Sequence, residues 1–182
     1  ESPRIALNFE LGNKNMTDDV FLGGCMCGAV RYEATGPLMF VVLCHCRMCQ
    51  QWTGSAMLGS ATFPKGSVNF VKGTPKIHQS SAVCDRGFCG ECGSSLFTQY
   101  AAGSVFDSVK FMSIGTLDDP ERAHPNVHYG AEAELSWMRR DDGLQRICID
   151  VDDPAQQEEL FKSLMAQGVD SRHQNQGQPD TT

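Results

Sequence analysis

The stretch Arg86-Gly-Phe-Cys-Gly-Glu-Cys-Gly-Ser-Ser-Leu-Phe97 places Cys89 and Cys92 at the turn spacing of a zinc knuckle. Its glycines let the backbone fold tightly, so that amide groups can point at the two sulfurs. A second pair, Cys25-Met-Cys27, lies far upstream and opens an apolar run. In an extended strand this spacing sends both side chains to the same face, where they can reach one ion. Joined together, the two pairs predict a closed site of four thiolates that crosslinks the fold around zinc.

A third cluster, Cys44-His-Cys46-Arg-Met-Cys49, lies between these pairs and offers three thiolates. We expect Cys44 and Cys46 to share a face at a strand end, with Cys49 on a following turn and His45 pointing away. Zinc with three protein ligands keeps a fourth position for water or substrate. The cluster therefore predicts an open, catalytic zinc, and the alternative is closure by Cys84 into a second structural site.

Composition limits the classes of function. The chain has 182 residues, a formal net charge of −7 and nine cysteines. An acidic balance argues against a nucleic-acid-binding face, and no stretch approaches the roughly 18 apolar residues of a membrane span. Cysteines grouped for metal, with no signal-peptide pattern at the start, predict a soluble cytoplasmic protein in a reducing compartment. The partners expected are small molecules, without nucleic acid or membrane, and the oligomeric state is left open.

The hydrophobic pattern predicts a mostly β domain. Short apolar or alternating runs separated by Gly and Pro are typical of an antiparallel β sandwich or open barrel. Nine runs are predicted strands: 29–34, 38–44, 55–63, 67–71, 76–83, 94–100, 108–115, 126–129 and 145–149. The domain is expected over 21–152, after an N-terminal extension at 1–20. One amphipathic C-terminal helix follows at 153–167, then a polar disordered tail at 168–182.

Ordered motifs along the chain resemble the family of glutathione-dependent formaldehyde-activating enzymes, which also includes centromere protein V. The resemblance covers about Gly23 to Asp150. Besides the three cysteine clusters, it rests on Gly54-Ser55, on Ser113-Ile-Gly-Thr-Leu-Asp-Asp-Pro120, on His128 and on Trp137. It implies a fold organised around zinc, similar to that of B-type methionine sulfoxide reductases and translationally controlled tumour protein.

The resemblance also implies roles for the clusters and a reaction. Cys25, Cys27, Cys89 and Cys92 look like the structural zinc site, and Cys44, Cys46 and Cys49 look like the catalytic one. The family's reaction joins formaldehyde to glutathione, giving S-(hydroxymethyl)glutathione, and is classed as a carbon–sulfur lyase in the reverse sense. Two alternatives are a noncatalytic zinc-stabilised protein-interaction module and a carbon–sulfur lyase acting on a different thiol adduct.

Three side chains near the clusters are candidates for further roles. Arg86 is expected either to offset thiolate charge at the Cys89 knuckle or to bind a substrate carboxylate. Trp52, beside the third cluster, is expected to line a substrate pocket or to fill core. His128 is favoured as a structural histidine, and Cys148 as an ordinary core residue.

Overall fold

The computed structural model describes residues 20–149 and 153–167. The predicted tail at 168–182 and nearly all of the predicted N-terminal extension at 1–20 lie outside the described residues. Short 3-10 turns connect several of the regular elements. The strands and helices are β1 Phe21–Gly24, β2 Arg31–Ala34, β3 Phe40–Cys44, α1 Arg47–Thr53, β4 Leu58–Pro64, β5 Val68–Lys72, β6 Lys76–Ser81, β7 Cys84–Phe88, β8 Ser95–Tyr100, β9 Val109–Ser113, β10 Val127–Tyr129, β11 Gln145–Ile147 and α2 Pro154–Gln167.

The strands form two sheets, so the mostly β prediction is confirmed. A three-stranded sheet has the order β1-β2-β5, and an eight-stranded sheet has the order β11-β10-β3-β4-β9-β8-β7-β6. The larger sheet is mixed rather than purely antiparallel, because β10 pairs in parallel with both β3 and β11. The long connection from β9 to β10, with its two 3-10 turns, is what allows the chain to return in the parallel direction.

Alternating side chains of the large sheet contribute to two hydrophobic cores, one on each face of the sheet. Val41 and Ala61, both fully buried, belong to the core shared with the three-stranded sheet. Phe40 and Val42, one residue out of phase with Val41, belong to a second core with the C-terminal helix. The large sheet is therefore the central layer, and α2 covers the face that carries Phe40 and Val42.

The helix α2 confirms the predicted C-terminal helix and packs through one side. Leu160, Phe161 and Leu164 recur at helical spacing and lie in the second core. The ring of Phe161 meets those of Phe40 and Phe106 edge-on, with centroids 6.2 and 5.2 Å apart. None of the helices within the described ranges is long and apolar enough to cross a membrane.

Each of the nine predicted runs contains a strand, but three elements were not predicted. These are β1, β7 and the short helix α1. The polar triplet Asp85-Arg86-Gly87 favoured a turn, yet it lies in β7, where Arg86 and Gly87 are buried. Cys148, expected in the core, is exposed just after the short edge strand β11, so that prediction was wrong.

Candidate metal centre and active site

Two turns bring the first and last cysteine pairs together. The sulfurs of Cys25, Cys27, Cys89 and Cys92 all lie within 4.8 Å of one another, and this group could hold a metal ion. Cys25 and Cys27 lie in the turn between β1 and β2, not on a strand as predicted, because the chain reverses there. The predicted grouping is nevertheless what the structure shows.

The two turns have the same backbone design. The amide of Cys25 donates to the carbonyl of Val30, and the amide of Cys89 donates to the carbonyl of Ser94, each over 3.0 Å. In both turns the chain passes a glycine with positive φ, 72° at Gly28 and 76° at Gly93, a conformation that side chains disfavour. The shared design presents each cysteine pair from a tight, rigid loop.

Amide groups also approach the buried sulfurs of this group. Val30 donates its amide to the sulfur of Cys25 over 3.2 Å, and Glu91 donates its amide to the sulfur of Cys89 over 3.4 Å. Such bonds stabilise thiolates, the form in which cysteine binds metal. The donor set, its tetrahedral count and its amide environment fit a four-coordinate zinc ion.

The third cluster forms a separate group at the junction of β3 and α1. Cys44 ends β3, Cys46 is the N-cap residue of α1, and Cys49 lies within that helix rather than on a turn. The sulfurs of Cys44 and Cys46 are 3.4 Å apart, and all three sulfurs lie within 4.8 Å of one another. The amide of Cys49 donates to the sulfur of Cys46 over 3.4 Å. The helix thus adds a backbone donor to the sulfur of Cys46.

The crowding of these sulfurs makes their ionisation interdependent. Contact with Cys44 and Cys49 lowers the pKa of Cys46 to about 2. Contact with Cys46, and then with Cys49, raises the pKa of Cys44. Three thiolates this close repel one another unless a cation lies between them, and a divalent cation removes the need for shared protons. The three thiols therefore also fit a metal ion, with a fourth position left for another ligand.

Arg86 supplies positive charge to the three-cysteine group. Its two terminal nitrogens each lie 3.8 Å from the sulfur of Cys49, while Nε donates to Ser80 over 3.1 Å. The residue is only 4% exposed. Charge offset was expected at the Cys89 knuckle instead. The contact is with Cys49 because β7, misread as a turn, directs the side chain to the other cluster.

Trp52 packs beside this arginine. The guanidinium carbon of Arg86 lies 5.7 Å from the centre of the Trp52 ring, and Phe88 meets that ring edge-on at 5.9 Å. Trp52 also packs against the cluster of Cys44, Cys49 and Leu58. It lines neither of the two cavities described below. A direct contact of Trp52 or Arg86 with substrate stays a prediction.

Cys84 does not complete the three-cysteine group. It is buried at the start of β7, but its sulfur is not among those that lie within 4.8 Å of one another. The Cα partners of Cys84 are Ser81 on β6 and Tyr100 on β8. The fourth position is therefore not filled by this thiol.

A histidine pair supports the segment between Cys44 and Cys46. Nε2 of His45 lies 2.8 Å from Nδ1 of His128, and the two rings stack. Nε2 of His128 lies 2.9 Å from a carboxylate oxygen of Asp142. Arg146 pairs with Asp142 and with Glu134, which lies close to both histidines. As expected, His45 points to this network and is not part of the three-sulfur group.

Backbone contacts fix the same segment. The amide of His45 donates to the carbonyl of Tyr129 over 2.8 Å. The side-chain amide of the buried Gln50 donates to the carbonyls of His45 and Ala133, over 2.8 and 3.1 Å. These bonds tie the cysteine segment to β10 and to the turn that follows it, so that the three sulfurs start from a rigid backbone.

A small cavity adjoins the three-cysteine group. It measures about 50 Å³, and the sulfur-bearing residues Cys44 and Cys49 are part of its wall. Apolar side chains of β3, β9 and α2 make up much of the rest. Four hydroxyl-bearing residues also line it: Ser60, Thr98, Tyr100 and Tyr129. Burial raises the pKa of both tyrosines, so each presents a neutral hydroxyl near pH 7.

A larger cleft of about 570 Å³ lies apart from the cysteines. Its wall includes Leu43, which points to the face opposite Cys44, together with Ile114 and Pro120. None of the seven clustered cysteines lines it. The sequence pattern indicates the cysteines but not the walls of either cavity, because the walls depend on strand register. Only the alternation Val127-His-Tyr129 could have hinted that Tyr129 and His128 face opposite ways.

Comparison with known proteins relates the chain to a family model, to a curated relative and to a solved structure. A family model described as glutathione-dependent formaldehyde-activating enzyme matches residues 20–132. A protein of Schizosaccharomyces pombe, named as an uncharacterized lyase, is 31% identical over 81 residues, which is 44% of this chain. That match spans 58% of the relative's own length. A crystal structure of a Rhodobacter sphaeroides protein has 18% identity and a TM-score of 0.43, over 69% of this chain and 99% of that one.

Proposed function

The chain belongs to the glutathione-dependent formaldehyde-activating enzyme family, and from this premise we propose that it is a carbon–sulfur lyase acting at its three-cysteine group. It joins a thiol such as glutathione to formaldehyde, and in the reverse direction it cleaves the adduct. The observation that supports the proposal is the placement of Cys44 and Cys49 in the wall of a small cavity. A metal held there would face a space of the size that a small aldehyde needs.

We assign different tasks to the two cysteine groups. Cys25, Cys27, Cys89 and Cys92 would hold a structural zinc, because four thiolates complete the coordination and join two distant turns. Cys44, Cys46 and Cys49 would hold a second, catalytic zinc. A zinc ion at this group would offer an open position to a substrate thiol and lower its pKa, so that the sulfur reacts as thiolate.

The reaction itself makes one bond and moves one proton. The sulfur lone pair attacks the carbonyl carbon, the electron pair of the C=O double bond moves to oxygen, and that oxygen takes a proton. The product is a hemithioacetal, RS–CH2–OH, and the proton released by the thiol balances the one taken up. Tyr129 packs against the cluster of Cys44, Cys49 and Leu58 and lines the cavity, and we assign to its hydroxyl the hydrogen bond to the carbonyl oxygen.

Arg86 would moderate the charge of the sulfur group during this step. Its guanidinium donates to Cys49 and reduces the electron density on that thiolate, which favours binding of a second anionic sulfur nearby. Trp52 and Ser80 hold the guanidinium in place. With only 4% exposure, Arg86 acts through Cys49 more readily than on a bulky substrate carboxylate.

A nuclear magnetic resonance assay tests the proposal. Glutathione and formaldehyde combine spontaneously, so exchange between free and adduct signals is measured with and without the protein. We expect the protein to accelerate exchange, and the Cys46→Ser variant, if folded, to have lost the effect. A rate equal to the spontaneous one would remove this activity. Two inert zinc ions that exchange with no added thiol would then favour a noncatalytic interaction module.

A further inference from the structure

One part of the cavity wall comes from outside the region that the family model matches. The match ends at residue 132, whereas the helix α2 spans Pro154–Gln167. Leu164 of this helix lines the same cavity as Cys44 and Cys49, and it is only 2% exposed. A residue beyond the matched region therefore bounds the space beside the candidate catalytic group.

The helix is fixed where this contact is made. Phe161, one turn before Leu164, meets the rings of Phe40 and Phe106 edge-on. Both of those phenylalanines also line the cavity. Leu164 itself packs into the core formed with Phe40 and Val42. The packing of Phe161 and of Leu164 itself therefore fixes the position of the Leu164 side chain, as a wall that selects by size requires.

We propose that Leu164 sets the upper size limit of the carbonyl substrate, which confines the enzyme to one-carbon aldehydes. This inference rests on the proposed function. A cavity of about 50 Å³ holds a few molecules the size of water, a space that formaldehyde fits. An aldehyde with an alkyl group would have to place its additional carbon atoms in the space that the Leu164 side chain occupies. Apart from this substituent the step is unchanged, since the thiol sulfur bonds to the carbonyl carbon and the oxygen takes a proton.

Truncation of this side chain provides the test. In Leu164→Ala, the lost carbon atoms leave room for a substituent on the aldehyde. We expect the ratio of the rates with acetaldehyde and formaldehyde, each with glutathione, to rise about tenfold or more, as for one added carbon in an apolar pocket. Leu160→Ala is the matched control. Leu160 packs into the same core from the same helix but does not line the cavity.

The possible outcomes distinguish an effect of the cavity wall from an effect of a loosened helix and from failure of the proposed function. A ratio that rises in Leu164→Ala alone supports the inference. A ratio that is unchanged, or that rises equally in Leu160→Ala, overturns it, because the effect would then be absent or would reflect a loosened helix. If the wild type accelerates adduct formation with neither aldehyde, the proposed function fails, and the size limit with it.

A structural measurement tests whether Leu164 bounds the cavity, and it requires no enzymatic activity. Crystals of the full chain are pressurised with xenon, which occupies apolar cavities. We expect xenon in Leu164→Ala at the place vacated by the leucine side chain, beside Cys44 and Cys49, and no xenon there in Leu160→Ala. Xenon absent from that place in the folded Leu164→Ala variant would overturn the claim that Leu164 bounds this cavity.

Discussion

The guanidinium of Arg86 points both terminal nitrogens at the sulfur of Cys49, each over 3.8 Å. Within the described ranges, no carboxylate forms an ion pair with this buried cation. A buried guanidinium without an anion is costly, so the charge must be balanced by the sulfur group. This relationship indicates that the three-cysteine group carries net negative charge when folded, as three thiolates around a divalent ion do.

Replacing this arginine should weaken metal binding at one group only. In Arg86→Gln, the Cys49 thiolate loses its charged donors, and we expect metal affinity at the three-cysteine group to fall about 10- to 100-fold. Competition with a chelator, followed by metal analysis, measures the change. Arg139→Gln, at an exposed position, is the control for loss of charge. Equal metal loss from both groups in Arg86→Gln would contradict this assignment.

Removal of the Tyr129 hydroxyl should slow the chemical step. Without the Tyr129 hydroxyl, charge that develops on the carbonyl oxygen loses the donor assigned to it, and we expect Tyr129→Phe to lower kcat about 100-fold with little change in KM for the thiol. Tyr32→Phe is the control, since the Tyr32 hydroxyl bonds to Thr116 over 2.9 Å, in the core of the small sheet. A rise in KM alone would assign Tyr129 to thiol binding instead.

The hydrogen-bond network of His45, His128 and Asp142 should affect the stability of the fold at low pH. Burial alone would raise the pKa of Asp142, but the hydrogen bonds from His128 and the Leu144 amide outweigh it and lower that pKa to about 2. A carboxyl with a lowered pKa stabilises the fold above its unfolded pKa of 3.8, and this contribution is lost as pH falls toward 2.

Asp142→Asn should therefore be less stable than the wild type at pH 6, and the difference should shrink between pH 4 and pH 2. The free energy of unfolding in urea, measured at each pH, gives the comparison. Metal release in acid affects both proteins and drops out of the difference. Asp119→Asn, at an exposed position, is the control. A difference independent of pH would show that the His128 contact does not perturb Asp142.

Local signals in the sequence predicted much of the fold and both cysteine groups. Strand alternation and turn residues are local signals that extend over a few positions, and each of the nine predicted runs contains a strand. The knuckle at Cys89 was equally local, because its glycines and spacing define the turn, whereas the turn at Cys25 was predicted to be the start of a strand. Arg86 shows the limit of such reading: the flanking Asp85 and Gly87 favour a turn, but burial between β6 and β8 makes a strand.

Other features of the site depend on pairing between distant segments. Tyr129 reaches the cysteines because β10 pairs in parallel with β3 and places Tyr129 opposite Cys44. Leu164 reaches the same cavity because α2 packs back on the central sheet. Neither the parallel register nor the docking position of a helix is encoded in a short motif, so neither contact followed from the pattern.

The two cysteine groups should respond differently to the loss of one sulfur. Zinc contributes on the order of 10 kcal/mol when it completes a structural site, as much as the whole stability of a typical domain. Cys89 is 1% exposed, and its knuckle joins β7 to β8, so we expect Cys89→Ser to be largely unfolded and to retain little metal. Cys46 lies at the N-terminus of a short helix, where serine also caps well. We therefore expect Cys46→Ser to stay folded and to lose one zinc of two, measured by circular dichroism and metal analysis. If both variants unfold alike, the division into a structural and a catalytic group is wrong, because each group would then be needed to hold the sheets together.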